Sequence, residues 1–266
     1  LTNYKKIGKK KPYEGHEIAY QRLRKDGFLF WDQKRSGTTA KSCNPDTYKF
    51  LKDVLSQPWS PRSGRVIELG CGTGPILRWI CSRGFHGLGL DISKTAVTMA
   101  REQSKGLDIK FRQADVCRLD GKHFGKFDLV VDGLCLHCLT DRKDRKSYLA
   151  GVFRLLKDDG LFVLLTMCSP MNKQRFSVVC KGQRIVRKIV YVPCEDRNYA
   201  GLVKFDGRNY LATRYIGPWE DIIREVRDAG FEPKLIRYQA CHRGDFCGTL
   251  NLAAVKKKGK RQKCHC

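Results

Sequence analysis

What the chain lacks narrows its class first. No apolar run in its 266 residues approaches the roughly 18 uninterrupted residues that a membrane-crossing helix needs, which excludes such a span within it. No apolar leader is visible near Leu1, so no secretory signal is expected. Acids are scarce: 27 Asp and Glu stand against 52 Lys and Arg, a net charge of +25 that points to an anionic partner. The paired CxxC…CxxC spacing of a zinc site is missing although cysteines number 13, since Cys135-x-x-Cys138 stands alone in an apolar stretch. Cys71, Cys81, Cys117 and Cys168 are scattered among strand- and helix-like residues. Reduced cysteines acting as small hydrophobes are therefore expected, with no metal centre. An intracellular protein follows from that pattern, cytoplasmic first, with the nucleus left open by the basic runs.

The charge is unevenly spread. Residues 1–64 carry net +8, 65–167 net +5, 168–218 net +7, 219–255 net −1 and 256–266 net +6. The surplus thus belongs to the segments with the least regular pattern. The terminal KKKGKRQKCHC has no apolar content to pack, so a disordered basic tail over 258–266 is expected, and a solvated tail is preferred to a prenylated Cys264-x-Cys266.

From Arg65 onward short apolar runs alternate with helical patterns. "RVIEL", "HGLGLD", "IKFRQAD", "FDLVVDG" and "LFVLLTM" read as strands; "PILRWICSR", "SKTAVTMAREQSKG" and "DRKDRKSYLAGVFRLLKDDG" read as the helices between them. Repeated strand–helix–strand units of this kind build a parallel sheet covered on both faces. After Met167 the rhythm changes: "FSVVCKGQRIVRKIVYVPC" and "GLVKFDGRNYLATRYIG" look like hairpins. The helix "PWEDIIREVRDAG" and the strands "FEPKLIRYQA" and "GTLNLAAVKK" then resume the core. Five segments are expected: a basic N-terminal arm or lid over 1–43, a core over 44–167, a substrate-side insert over 168–218, the end of the core sheet over 219–257, and the tail.

The central motif is Glu68-Leu69-Gly70-Cys71-Gly72-Thr73-Gly74, between a strand and a helix. Glycines there let the chain turn tightly and let a ligand approach peptide N–H groups with no Cβ in the way. The spacing is G-x-G-x-G, whereas the dinucleotide fingerprint is G-x-G-x-x-G. Glu68, ahead of the first glycine, would repel a pyrophosphate but suits a cationic, amino-bearing ligand. Asp91 closes the second strand, where a carboxylate can take both ribose hydroxyls, and Asp115 follows the third, where it can meet an adenine edge.

In order and spacing, "VIELGCGTG", "GLGLDIS", "RQADVCRL" and "FDLVVDGLCLH" resemble the successive motifs of the class I S-adenosylmethionine-dependent methyltransferases. The resemblance covers about residues 44–167 and, more weakly, 219–257. It implies an α/β fold: a doubly wound, seven-stranded, mainly parallel Rossmann-like sheet ending in an antiparallel pair, with an N-terminal lid and an inserted β-rich cap. It also implies S-adenosylmethionine as cofactor, released as S-adenosylhomocysteine. Gly70, Cys71, Gly72 and Gly74 would form the cofactor loop, with Glu68 toward the methionine amino group. Asp91 and Ile92 would lie at the ribose, Asp115 and Val116 at the adenine, and Asp132 and Gly133 beside the transferred methyl.

The sulfonium is already an activated donor, so such a protein chiefly aligns nucleophile, methyl and sulfur. His137 in "GLCLHCL" is the candidate general base, the other reading being a packed histidine that holds the loop. Tyr20, Trp31, Tyr215 and Trp219 are candidates to wall an acceptor pocket. Arg175, Arg184, Arg187, Lys188, Arg197 and Arg214 of the insert are candidates to hold an anionic group such as carboxylate or phosphate. The expected reaction is methyl transfer to oxygen or nitrogen of a small anionic metabolite. The alternative is an RNA methyltransferase, cap type included, using the basic termini for phosphate contacts. A catalytically silent scaffold is the third reading. Nothing in the sequence speaks to oligomeric state.

Overall fold

The computed structural model describes residues 5–6, 11–31, 33, 45–169, 182–240 and 247–257. The chain begins with a short strand β1 (Lys5–Lys6), a 3-10 turn (Pro12–Gly15) and helix α1 (His16–Lys25), followed by α2 (Pro45–Leu55). Then come β2 (Gly64–Leu69), α3 (Pro75–Cys81), β3 (Phe85–Asp91), α4 (Lys94–Glu102) and β4 (Ile109–Gln113). A short helix α5 (Gly121–Phe124) leads to β5 (Phe127–Gly133), α6 (Arg142–Leu155) and β6 (Leu156–Cys168). Four strands form the insert: β7 (Arg184–Val186), β8 (Ile189–Pro193), β9 (Leu202–Phe205) and β10 (Arg208–Tyr215). Helix α7 (Trp219–Asp228) and strands β11 (Phe231–Gln239) and β12 (Gly248–Lys256) close the core.

The main sheet has the order β11-β12-β6-β5-β2-β3-β4. β6, β5, β2, β3 and β4 run parallel, and β12 lies antiparallel to both β6 and β11. This is the doubly wound sheet expected above. Its alternation is legible on β6: Phe162 and Leu164 point into one core with Tyr148, Leu252 and Phe231, while Leu161, Val163 and Leu165 point into the other with Phe50, Leu77 and Val131. A side-chain period of two on a sheet covered on both faces explains why these strands are apolar throughout. The helix pattern ahead of β6 suggests helix as far as Gly160, but α6 stops at Leu155 and β6 starts at once. The register jumps from the pair Phe127–Leu156 to the pair Leu129–Leu161, so Lys157–Gly160 bulges from the strand edge.

The insert forms a separate antiparallel sheet, β1-β9-β10-β8-β7. The turn at Asp206-Gly207, with φ of +48° and +78°, matches a hairpin read from sequence, whereas β7 and β8 turn at Arg187-Lys188, with φ of +49° and +68° and no glycine, and not at the Lys-Gly-Gln stretch expected to turn. One face gathers Tyr191, Val203, Phe205, Tyr210 and Ala212 into a small core of its own. The edge strand β1 was not foreseen, because a lysine-rich run carries no strand periodicity; it joins through backbone pairing to β9.

Chain order reverses at the sheet centre: β2 leads to β3 and β4 on one side, and the chain then returns to β5 on the other. Ligands of such sheets bind in the crevice at the carboxyl ends of the strands at this switch point. Phe162 is fully buried at the middle of β6, with its ring 5.2 Å from that of Phe231. Phe162→Ala is expected to cost about 3–5 kcal/mol in equilibrium urea unfolding; a loss under about 1 kcal/mol would show that this layer repacks freely.

Candidate active site

The glycine turn lies at the switch point, and its backbone accounts for its composition. Gly70, Gly72 and Gly74 have φ of +67°, +53° and +76°, a region that favours glycine. A Cβ on Gly70 would meet the Cys135 side chain at 2.6 Å, and one on Gly72 would run into the Tyr20 hydroxyl.

Three buried carboxylates surround this turn. Glu68 accepts the Leu77 N–H at 3.0 Å at the start of α3. Burial pushes its carboxyl up to about 8, with the Leu77 N–H and Arg78 pulling the other way and Asp132 and Asp91 adding to the rise. Asp91 accepts the N–H of Gly72 and of Ser93, each at 2.8 Å, and burial raises it to about 6. It thus fixes the glycine turn to the strand end and the start of α4. Asp132 accepts the N–H of Cys135 (2.6 Å) and Leu136 (2.9 Å) and the Tyr148 hydroxyl (2.7 Å), and burial raises it to about 6. These bonds shape the 3-10 turn Leu136–Cys138 that carries His137. Asp115 caps the 3-10 turn Val116–Arg118 by accepting the Cys117 N–H at 2.9 Å, and Val116 behind it is buried. Gly133 adjoins Glu68, and Ile92 packs against the core.

The N-terminal segment lies across this edge. Tyr13 donates its hydroxyl to Asp115 at 3.3 Å, and Lys11 pairs with Asp144 at 2.8 Å. Glu17 accepts the Ser93 hydroxyl (2.7 Å), the Thr95 N–H (3.1 Å) and the Thr95 hydroxyl (2.6 Å). Burial alone would raise the Glu17 carboxyl, but these donors together hold it below its ordinary value. A carboxylate at the first turn of α4 is also favoured by the helix dipole. Tyr20 reaches over Gly72 and touches Trp31, the ring centroids being 5.8 Å apart. Sequence reasoning missed Tyr13 and Glu17, because a lone Tyr or Glu in a short amphipathic segment carries no signal of its target.

His137 is 3% exposed, and its Nδ1 has no partner among the described residues. Burial, then the charge of Arg214, holds the ring well below its usual range, so it is neutral at pH 7. Burial pushes the Cys138 thiol up to about 11 and raises Cys135 further, so neither is a thiolate at that pH. Leu134, non-glycine at φ +75° and 37% exposed, stands at the end of β5 beside Gly133; nothing in the sequence marks it.

The remaining acceptor candidates separate. Tyr20 lies on the turn with the exposed Trp31 against its ring, whereas Tyr215 stacks under Arg145 (4.2 Å) and Trp219 packs on the core at the start of α7. Arg175 lies outside the described residues, as do most of the basic termini and the tail expected to be disordered. A surface hollow of about 460 Å³ lined by Arg65, His86, Lys110 and Phe127 lies at the opposite, amino ends of the strands, away from these acids. Among the described residues Cys71, Cys81, Cys117, Cys135, Cys138 and Cys194 are free thiols, no group of three His, Cys, Asp or Glu is arranged for a metal, and no helix is long and apolar enough to cross a membrane.

Comparison with known proteins decides the family. A family model described as a methyltransferase domain matches residues 66–160. An uncharacterized methyltransferase of Schizosaccharomyces pombe is 31% identical over 113 residues, which cover 42% of this chain and 76% of that protein. The chain belongs to the class I S-adenosylmethionine-dependent methyltransferases. The ubiquinone biosynthesis O-methyltransferase of Methylococcus capsulatus is 26% identical over 56% of this chain and 61% of its own length. The chain spans under half the length of methyltransferase relatives from Bacillus subtilis (42%) and Geobacillus (47%). In fold it is similar to the 1,6-didemethyltoxoflavin-N1-methyltransferase of Burkholderia thailandensis, solved with its acceptor and S-adenosylhomocysteine: TM-score 0.58, 17% identity, 95% of this chain and 93% of that one.

Because Glu68 titrates near 8 in the folded chain against 4.5 ordinarily, the unfolded chain gives up its proton first. The contribution of Glu68 to stability is therefore fully present at low pH and is lost as pH rises toward 8. Asp91 and Asp132 contribute the same sign only up to about pH 6. His16 and His137, held below their ordinary 6.5, contribute the opposite sign up to about pH 7, so the Glu68 contribution between 6 and 8 is read as a difference from a chain without it. Urea midpoints of the ligand-free protein should fall between pH 6 and pH 8 relative to those of Glu68→Gln. Equal slopes in the two proteins would mean Glu68 is ionised throughout.

Proposed function

We propose that this chain transfers the methyl group of S-adenosylmethionine to an oxygen or nitrogen of a small anionic metabolite, by direct in-line attack on the methyl. The observation that carries the reading is the convergence of the glycine turn with Glu68, Asp91 and Asp115 at the switch point of a methyltransferase-family sheet. Each feature suits one part of that cofactor. The left-handed glycines leave peptide groups approachable, and Glu68 is a buried carboxylate with no cationic partner in ion-pair contact among the described residues, suited to the methionine ammonium. Asp91 sits at the ribose position with Ile92 next to it. Asp115, with Val116 behind it, suits the adenine amino group. Cys71, buried in the turn, fills space beneath it.

When bound, the cofactor supplies the activated methyl; the residues of this chain hold and orient the reactants and keep water out. Tyr20 covers the glycine turn and Tyr13 covers Asp115, so α1 and the turn before it serve as a lid. Asp132 and Gly133 keep the end of β5 in place beside the reacting carbon. His137 is neutral but weakly basic, which supports a hydrogen-bonding role over early proton removal. The acceptor class draws support from relatives named for small organic acceptors.

Calorimetry with S-adenosylhomocysteine tests the reading. The intact chain should bind it, and Asp91→Ala and Gly72→Val should each weaken binding at least tenfold, about 1.4 kcal/mol. The valine would strain a backbone at φ +53° and displace the Tyr20 hydroxyl. Absence of binding to the intact chain would overturn the proposal.

A further inference from the structure

The insert strand β10 contains an irregularity with a chemical consequence. Ala212 pairs with Tyr191, but Arg214 pairs with Val190, so Thr213 is an extra residue. Cross-strand partners share a face, and one added residue switches it. Without the bulge Arg214 would follow Tyr210 and Ala212 into the insert's small core. With it, the side chain turns to the face of Leu211 and Val190, toward the main sheet.

There it stands without a counter-charge. Arg214 Nε is buried and has no hydrogen-bond partner, and no carboxylate forms an ion pair with the side chain, among the described residues. The residue is half-buried, and a buried Nε–H without an acceptor is costly. The groups that feel its charge are His137, His16 and the Cys138 thiol. His16 is held down to about 4 by burial and then by Arg214, so both rings are neutral at pH 7, each with one N–H to donate. His137 Nδ1 is itself buried and unpartnered. The other cation near His137 is Arg145, whose charge is already paired with Glu225.

The cluster adjoins the cofactor-loop acids. The Cys138 thiol feels both Arg214 and Asp91. His16 and Tyr20 are one helical turn apart on α1, and Tyr20 covers Gly72. We infer that Arg214, with His137 and His16 beside it, forms a subsite that anchors a carboxylate of the acceptor. The planar fork of a guanidinium matches the two oxygens of a carboxylate, and the imidazole N–H groups can complete its shell. Calling the ligand the acceptor rests on the methyl-transfer reading; the anion site itself does not.

The test uses acetate and benzoate against their neutral counterparts acetamide and benzamide, titrated calorimetrically into the full chain with and without saturating S-adenosylhomocysteine. At least one carboxylate should bind tenfold or more tighter than its amide. Arg214→Gln should erase that preference, Arg214→Lys should keep part of it, and both variants should hold S-adenosylhomocysteine within twofold of the unaltered chain. Equal binding of acids and amides, or a preference that survives Arg214→Gln, overturns the subsite. A carboxylate preference in a chain that binds no S-adenosylhomocysteine would support the subsite while overturning the methyl-transfer reading. If Arg214→Gln does not fold, the acid–amide comparison in the unaltered chain and in Arg214→Lys decides.

Discussion

The carboxylate of Asp132 holds the working edge of this protein together. It is fully buried at the end of a central strand and gathers three donors: two backbone N–H groups of the following turn and the hydroxyl of Tyr148 on α6. Those bonds set the path of residues 133–138. That path presses Cys135 against Gly70, which is why no side chain fits there, and it carries His137 and Cys138 to the side facing the insert. Arg145 reinforces the same turn by donating to the Leu136 carbonyl at 2.8 Å while it pairs with Glu225. An acid read from sequence as bordering the reacting methyl is therefore also the support on which the neighbouring groups are mounted.

Glu68, Asp91 and Asp132 lie close enough that Asp91 and Asp132 each add to the rise at Glu68. Burying three acids at one edge is unfavourable without donors or a cation. Asp91 and Asp132 have backbone and hydroxyl donors enough to titrate near 6, whereas Glu68 has one backbone donor and titrates near 8. The least satisfied of the three is thus the one that a positive charge would stabilise most. This ordering follows from counting donors and needs no appeal to the family.

The sheet and the glycine turn were legible in the sequence because both obey local rules. Strands covered on two faces must be apolar throughout, and a backbone in left-handed conformations must be glycine, so "VIEL" and "GCGTG" announce themselves. The features that were not legible depend on tertiary partners. Tyr13 and Glu17 matter because α1 lies against Asp115 and the start of α4, which no pattern within residues 11–25 encodes. The strand β1 exists only because β9 has an open edge. Tyr215 and Trp219 are aromatic like Tyr20 and Trp31, yet the former pair packs against α6 and the core. Side-chain type alone could not sort them.

The surplus of positive charge takes on a different meaning once partners are assigned. In the insert, Arg184 is paired with Asp206 and Lys188 with Asp221, both near the surface, and such pairs contribute little beyond solubility. Arg214 belongs to the same basic segment but is half-buried, with an unpartnered Nε, and no acid meets it among the described residues. A charge of +25 on the whole chain says only that anions are attracted. One half-buried guanidinium, turned inward by a single extra residue in β10 and bordered by two neutral imidazoles, is where an anion would be held on the proposal above. On that proposal selection of the acceptor would depend on a backbone irregularity in the insert, while the common sheet would supply the cofactor side of the site.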